Sequence, residues 1–295
     1  MITQDSRLGL SRIEQLPAIS PVVVRLIALD PSARDYYEQV VEIANSDPDL
    51  AMRVIGSANS AAYSSVDVVD TVPRAVARIG SARVGYLVLA MSMFKIFPTS
   101  DHDAVGLWHH AVETAVAAQT LATRSNGKVN AARAYTAGLL HDVGRFLLHA
   151  DRPGVALPAD RAVGDLDRQL AEERALTGDA DHVEFGSVAA EYWRLPPNLA
   201  PVVAGHHVYG PPSLADPETA LLTVVQTADL LSSALRRHPD VADAPAGDLE
   251  ALIAAECRPD AWTTPPFTAA TLAALVPDVV AQSRQALTQF GITEG

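Results

Sequence analysis

The sequence predicts an all-α protein, on three observations. Apolar residues recur at helical spacing along most of the chain, alternating β-branched runs bounded by turn signals are nearly absent, and helix-start and helix-stop residues punctuate it repeatedly. A chain of 295 residues with 48% hydrophobic content suits one large helical domain or two smaller ones with ample core.

Taken in order, VVVRLIAL (22–29) is apolar and by itself reads as strand or helix; Ser20 as a cap and Pro21 in the first turn make it a helix. Asp47-Pro48 opens a second such start before DLAMRVIGSAN, whose apolar side carries Met52, Val54 and Ile55 and which ends at Asn59 and Ser60. Val72-Pro73 leads into RAVARIG, stopped by Gly80. SARVGYLVLAMSMFKIF follows as an apolar helix expected to be buried on most sides.

The polar segment 98–106 marks a subdomain junction, after which a long helix runs from about Leu107 to Ser125. ARAYTAGLLHDVGRFLLHA reads as one amphipathic helix with a stripe of Leu139, Leu140, Val143, Phe146 and Leu147. Residues 151–165 read as a loop and LDRQLAEERAL as a polar, exposed helix. HVEFGSVAAEYWRL is a helix stopped by Pro196-Pro197, and ALLTVVQTADLLSSALRR another amphipathic one. The tail from Pro239 holds two or three further helices.

Bulk properties narrow the function. A net charge of −13 repels phosphate backbones, so nucleic acid is disfavoured as a partner. The single cysteine, Cys257, excludes a disulfide framework and a cysteine-based zinc site, and fits a cytoplasmic protein. No secretory signal opens the sequence and no run of about 18 apolar residues occurs, so no membrane partner is expected.

Seven residues carry the chemistry: His110, His141, Asp142, His182, His206, His207 and Asp229. Five of the chain's nine histidines fall in this set, each in or beside a helical segment after the junction. Imidazoles and carboxylates are ligands for borderline divalent metals such as Fe, Mn, Zn or Ni. Helical bundles build such sites from facing helices. Adjacent residues on a helix project roughly 100° apart, so His141 and Asp142 can share an ion only in a wedge between helices. Spacing alone leaves His109 and His110 equivalent. Asp229 lies in a strongly apolar helix, where an unpaired carboxylate is costly. His102, His149 and His238 are read as ordinary surface residues.

The order of short motifs resembles the HDOD domain. The first half has Leu16-Pro17 and Ser20-Pro21, then Asp47, Pro48, Leu50, Asn59, Ser60 and Tyr63, then Ile79-Gly80. The second half has LWHHA (Leu107, Trp108, His110), AGLLHDVGR (Gly138 to Arg145), HVEFGSVAAEYWRLP (His182, Gly186, Trp193, Leu195, Pro196), Gly205-His206-His207 and TADLL with Asp229. The family's LW-x-H pattern favours His110 over His109. The resemblance covers roughly 10–235, as an amino-terminal helical subdomain (10–98) and an HD-like subdomain (106–235), leaving 236–295 as a helical extension.

The resemblance implies a multi-helix bundle related to HD and HD-GYP phosphohydrolases. By analogy His110, His141, Asp142 and Asp229 form one metal site, and His182, His206 and His207 add a second with Asp142 bridging, for one or two divalent ions. It also implies a signal-transduction module acting on a protein partner in trans, with a nucleotide or phosphate ligand; the alternative is a metal-dependent phosphohydrolase. Departures bear on that choice. VYGPP follows His206-His207 in place of a GYP continuation, and the spacing before His182 is one residue longer than usual. Arg145 stands where the family has Lys; it can contact phosphate bidentately but cannot give up a proton. Trp108 and Trp193 beside the ligands read as core packing.

Overall fold

The Ser20 hydroxyl accepts from the Val22 amide (3.2 Å) and Pro21 fills the first turn, so the ambiguous apolar run 22–29 resolves as helix. The computed structural model describes residues 19–60, 63, 67–99, 101–152, 166–178, 180–240, 244–257, 259, 262 and 264–292. Leu16, Pro17 and most of the loop expected at 151–165 lie outside them. The regular elements among the described residues are all helices, with no strand. The chain divides between Pro98 and Thr99 into two compact units, one holding 19–98 with 288–292, the other 99–287.

In the first unit, α1 (Pro21–Ile27), α2 (Tyr36–Asn45), α3 (Pro48–Ala58) and α4 (Val72–Ile79) surround α5 (Ser81–Ile96). Ten consecutive α5 residues, Val84 to Met93, are buried, as its uniform hydrophobicity predicts. Asp47 caps α3 by accepting from Asp49 N (2.8 Å) and binds Lys95 Nζ through its other oxygen (2.8 Å). Gly80 joins α4 to α5 at φ 96°, a value an L side chain rarely adopts, and the helices meet there at a 112° bend. Asn59 does more than end α3: its amide donates to Val69 O (2.7 Å) and accepts from Val69 N (2.9 Å), pinning the approach to α4. No single helix among the described residues is long and apolar enough to cross a membrane.

The second unit carries the seven residues. Its long helix α6 spans His102–Thr123, starting five residues before the expected Leu107 because the Asp101 carboxylate caps it at Ala104 N (2.9 Å). The other Asp101 oxygen accepts from His149 Nε2 (3.1 Å), and His149 is buried rather than the surface residue expected. The stretch 131–151 is two helices, α7 (Ala131–Leu140) and α8 (Val143–Asp151), broken at His141-Asp142. Then follow α9 (Leu166–Thr177), α10 (His182–Tyr192), α11 (Ala200–Gly205) and α12 (Pro217–Arg237). α6 packs on α7 and α12, α8 on α10, and α11 on α10 and α12.

The tail contributes α13 (Ala246–Glu256) and α14 (Ala269–Phe290). α13 closes on the end of α12, where Arg237 Nε donates to Glu256 (2.9 Å). Trp262 is buried edge-on against Tyr209, two residues past His207. Cys257 and Phe267 are buried with it, so this part of the tail extends the helical core.

Candidate metal centre

All seven residues converge, from five different helix segments. His110 comes from mid-α6 and Asp229 from mid-α12; His141 and Asp142 occupy the α7–α8 break. His182 is the first residue of α10, and His206 and His207 follow the end of α11. The break matters. Asp142 leaves helical geometry (φ −109°, ψ 25°), so its side chain and that of His141 need not diverge as neighbours on a continuous helix do. His110, not His109, joins the cluster.

The donor atoms form two groups. In the first, His110 Nε2 lies 3.3 Å from His141 Nε2, 3.2 Å from Asp229 Oδ1 and 3.8 Å from Asp142 Oδ2. In the second, Asp142 Oδ1 lies 3.4 Å from His182 Nε2 and 3.7 Å from His206 Nε2, and His207 completes the group. The two oxygens of Asp142 thus face different groups. Asp229 does likewise, its Oδ2 standing 3.8 Å from His207 Nδ1.

Hydrogen bonds on the far side of the rings set their tautomers. His141 Nδ1 donates to Gly138 O (2.7 Å) and His206 Nδ1 to Val203 O (2.9 Å). His182 Nδ1 donates to Glu173 Oε2 (2.6 Å). His110 Nδ1 donates to Ser232 Oγ (3.2 Å), whose hydroxyl in turn donates to Glu113 Oε2 (3.0 Å). A carbonyl or carboxylate only accepts, so each of these Nδ1 atoms carries a hydrogen and each Nε2 faces the centre, where the neutral ring offers a lone pair.

Two close helix crossings hold this arrangement. A Cβ on Gly144 of α8 would stand 1.8 Å from His182 O, and one on Gly138 of α7 would stand 2.8 Å from Ala115 Cα in α6. The glycines around the His-Asp pair are there because backbone meets backbone.

Charge follows burial and pairing. Burial alone would raise the Asp142 carboxyl, but the Arg145 guanidinium, 2.6 Å away, and the surrounding histidines outweigh it and hold the group below the ordinary carboxylate range. Asp229 is likewise held well below its ordinary value: burial is overcome by the His110 and His141 rings beside it. Burial, with the neighbouring His141, lowers His206 to about 3, and burial beside His206 lowers His207 as well. His110 is lowered by burial. For His141, burial is outweighed by Asp229 and Asp142, and its value rises.

The residues fit a divalent metal. Asp142 Oδ1, His182 Nε2, His206 Nε2 and both His207 nitrogens are buried with no hydrogen-bond partner among the described residues. Leaving such atoms unsatisfied costs about 1–3 kcal/mol each, and so dense a cluster of them calls for a ligand. Two donors on one ion with bonds of about 2.1 Å are at most about 4.2 Å apart. The separations of 3.2 to 3.8 Å fall within that limit.

Three residues of the site escaped sequence reasoning. Glu173 and Gln169 are buried on α9, the helix expected to be exposed. Gln169 Nε2 donates to Glu173 Oε1 (3.1 Å), and Glu173 Oε2 holds His182. Ser232, three residues after Asp229, orients His110. The i, i+4 placement of Gln169 and Glu173 is the only trace they leave in the sequence.

The HDOD domain family model matches residues 16–209. A curated relative, an uncharacterized protein of Treponema pallidum (strain Nichols), is 21% identical over 208 residues, which is 70% of this chain; the chain spans 40% of that relative's length. Among solved structures, a protein from Shewanella amazonensis SB2B provisionally named a phosphohydrolase superposes with a TM-score of 0.68 at 24% identity, over 96% of this chain and 97% of its own. One from Marinobacter aquaeolei VT8, provisionally named a signal transduction protein, gives a TM-score of 0.68 at 20% identity, over 99% of this chain and 62% of its own. At these identities the structural likeness establishes the fold.

Proposed function

The chain belongs to the HDOD domain family, and within it we propose a signalling protein that holds divalent transition-metal ions on His110, His141, Asp142, His182, His206, His207 and Asp229 and binds a phosphate-bearing ligand there. One observation carries the reading: the buried donor atoms of Asp142, His182, His206 and His207 that no protein group satisfies. His110, His141, Asp142 and Asp229 would hold one ion, and His182, His206, His207 and Asp142 the other. Such ions, when bound, polarise phosphoryl oxygens and make bound water acidic.

The chain's own residues do the rest. Asp142 and Asp229 each span both groups and supply negative charge. Arg145 neutralises part of that charge and keeps Asp142 ionised. His207, whose side chain is 13% exposed against 6% or less for the other six, lies on the side of the centre nearest solvent, where a ligand would arrive. The output would pass to a protein partner in trans, in keeping with the signalling name of the Marinobacter neighbour.

Hydrolysis of a phosphomonoester or nucleotide phosphodiester is the second reading, favoured by the placement of one Asp142 oxygen toward each group, as two-ion phosphohydrolysis needs. Cyclic-di-GMP is not the substrate proposed, because VYGPP replaces the GYP continuation.

Metal content of purified protein, measured by inductively coupled plasma mass spectrometry beside Asp142→Ala, tests the first reading. One or two transition-metal ions per chain, lost in the variant, support it. A folded wild type that takes up no ion on reconstitution overturns it. Turnover of phosphomonoesters by wild type and not by Asp142→Ala would extend the reading to hydrolysis; equal turnover by both would remove hydrolysis.

A further inference from the structure

We infer that Glu173 is the positioning residue of His182 and so selectively governs binding at the second ligand group. The inference rests on the metal-binding reading above and deepens it. Glu173 is completely buried on α9, and an isolated carboxylate there would be costly. It is instead saturated by one ligand residue and one helper. Its Oε2 accepts from His182 Nδ1 (2.6 Å) and from the His182 backbone amide (2.9 Å), while its Oε1 accepts from Gln169 Nε2 (3.1 Å).

The backbone contact ties Glu173 to the start of α10. The His182 amide is one of the helix's unpaired N-terminal donors, and a carboxylate is favourable there. The Asp181–Glu184 capping box closes the adjoining donors, so Glu173 is not needed as the cap itself. The ring contact fixes the tautomer and the aim of Nε2 toward Asp142 Oδ1, 3.4 Å away.

The other rings are held differently. His141 and His206 use backbone carbonyls, and His110 uses Ser232. Among the described residues, His182 is the site histidine with a carboxylate at hydrogen-bond distance from Nδ1. That contact makes Nε2 a stronger donor, and losing such a partner typically weakens metal binding about 10–100-fold. The hydrogen bonds of Glu173 go to Gln169 and to His182 of the second group, which shares only Asp142 with the first, so the effect falls chiefly on the second group.

The test uses the full chain stripped of metal, with Glu173→Ala and Glu173→Gln. Gln keeps an acceptor for both His182 donors and loses the charge. Zinc titration by calorimetry reads affinity, and ¹⁵N-detected histidine spectra of the metal-free protein read the His182 tautomer. Expected are an Nδ1–H tautomer in wild type, a mixed one in Glu173→Ala, and binding at one group weakened 10–100-fold in Glu173→Ala, with partial rescue in Glu173→Gln. A merely structural role would weaken both groups alike and leave the tautomer unchanged. Unaltered zinc affinity in Glu173→Ala, or an Nε2–H tautomer in wild type, overturns the inference. If wild type binds no zinc while the tautomer is as expected, the metal-binding reading has failed, and Glu173's control of a metal site falls with it.

Discussion

Gly144→Ala probes the backbone contact that sets Asp142 against His182. The added Cβ would meet His182 O at 1.8 Å, His182 C at 2.7 Å and Gly186 N at 2.8 Å. All three are main-chain atoms, so no side chain can swing aside. Restoring even 3.0 Å requires α8 and α10 to part by about 1.2 Å at this point. Asp142 precedes α8 and His182 begins α10, so the same movement widens their 3.4 Å separation. With three main-chain clashes the overpacking cost lies at the upper end of the usual range, about 2–3 kcal/mol, against up to about 1 kcal/mol regained from helix propensity, a net of about 1–2 kcal/mol. For a chain of this size the net should lower Tm by roughly 2–8 °C. Gly56→Ala is the control: nothing lies within 4 Å of its Cβ position, so Tm should hold or rise slightly. Circular dichroism melts with and without zinc read both effects. In Gly144→Ala, zinc should raise Tm less than in wild type, because the second group is opened. A Gly144→Ala protein that melts at or above the wild-type temperature, with the full zinc-induced rise, refutes the reasoning.

Acid should destabilise the metal-free protein. His206 titrates near 3 when folded and near 6.5 when unfolded, so between those values the unfolded state binds the extra proton and stability falls as pH drops. His206 alone contributes a loss of up to about 2 kcal/mol between pH 7 and 5. His207 and His110 act in the same direction, while His141, raised on folding, adds stability as pH falls toward its unfolded value of about 6.5 and changes nothing further below it. Urea unfolding of chelator-treated protein at the two pH values checks this; equal or greater stability at pH 5 contradicts it. Cys257 is buried and its thiol is pushed up to about 12, so it should resist iodoacetamide at pH 8 in native protein and react on unfolding. Rapid native labelling would show that the α13 end is open.

The helices were legible because caps and stops are local chemistry. Ser20-Pro21, Asp47-Pro48 and Gly80 act within a few residues of themselves, and each does in the structure what its type suggests. The break at His141-Asp142 was not legible, because the apolar stripe Leu139, Leu140, Val143, Phe146, Leu147 keeps its helical period straight across it. Core packing sets that period, whereas the break is set by the turn that places Asp142 between the two ligand groups. The seven His and Asp positions could be chosen from residue type and motif order, yet their convergence depends on crossings such as Gly144 on His182 that connect distant segments. Glu173 was hidden for a different reason. A polar helix is read as solvated, and nothing in LDRQLAEERAL marks the one carboxylate that a later histidine will cover. His149 was misplaced in the same way, buried through its bond to Asp101, 48 residues earlier in the chain.

The most direct test is an anomalous-scattering map from crystals of the zinc-reconstituted chain, collected at the metal edge. Two peaks are expected, one among His110, His141, Asp142 and Asp229 and one among Asp142, His182, His206 and His207. A map with no peak at either position, from protein whose side chains adopt the arrangement described above, would contradict a metal-binding centre in this chain.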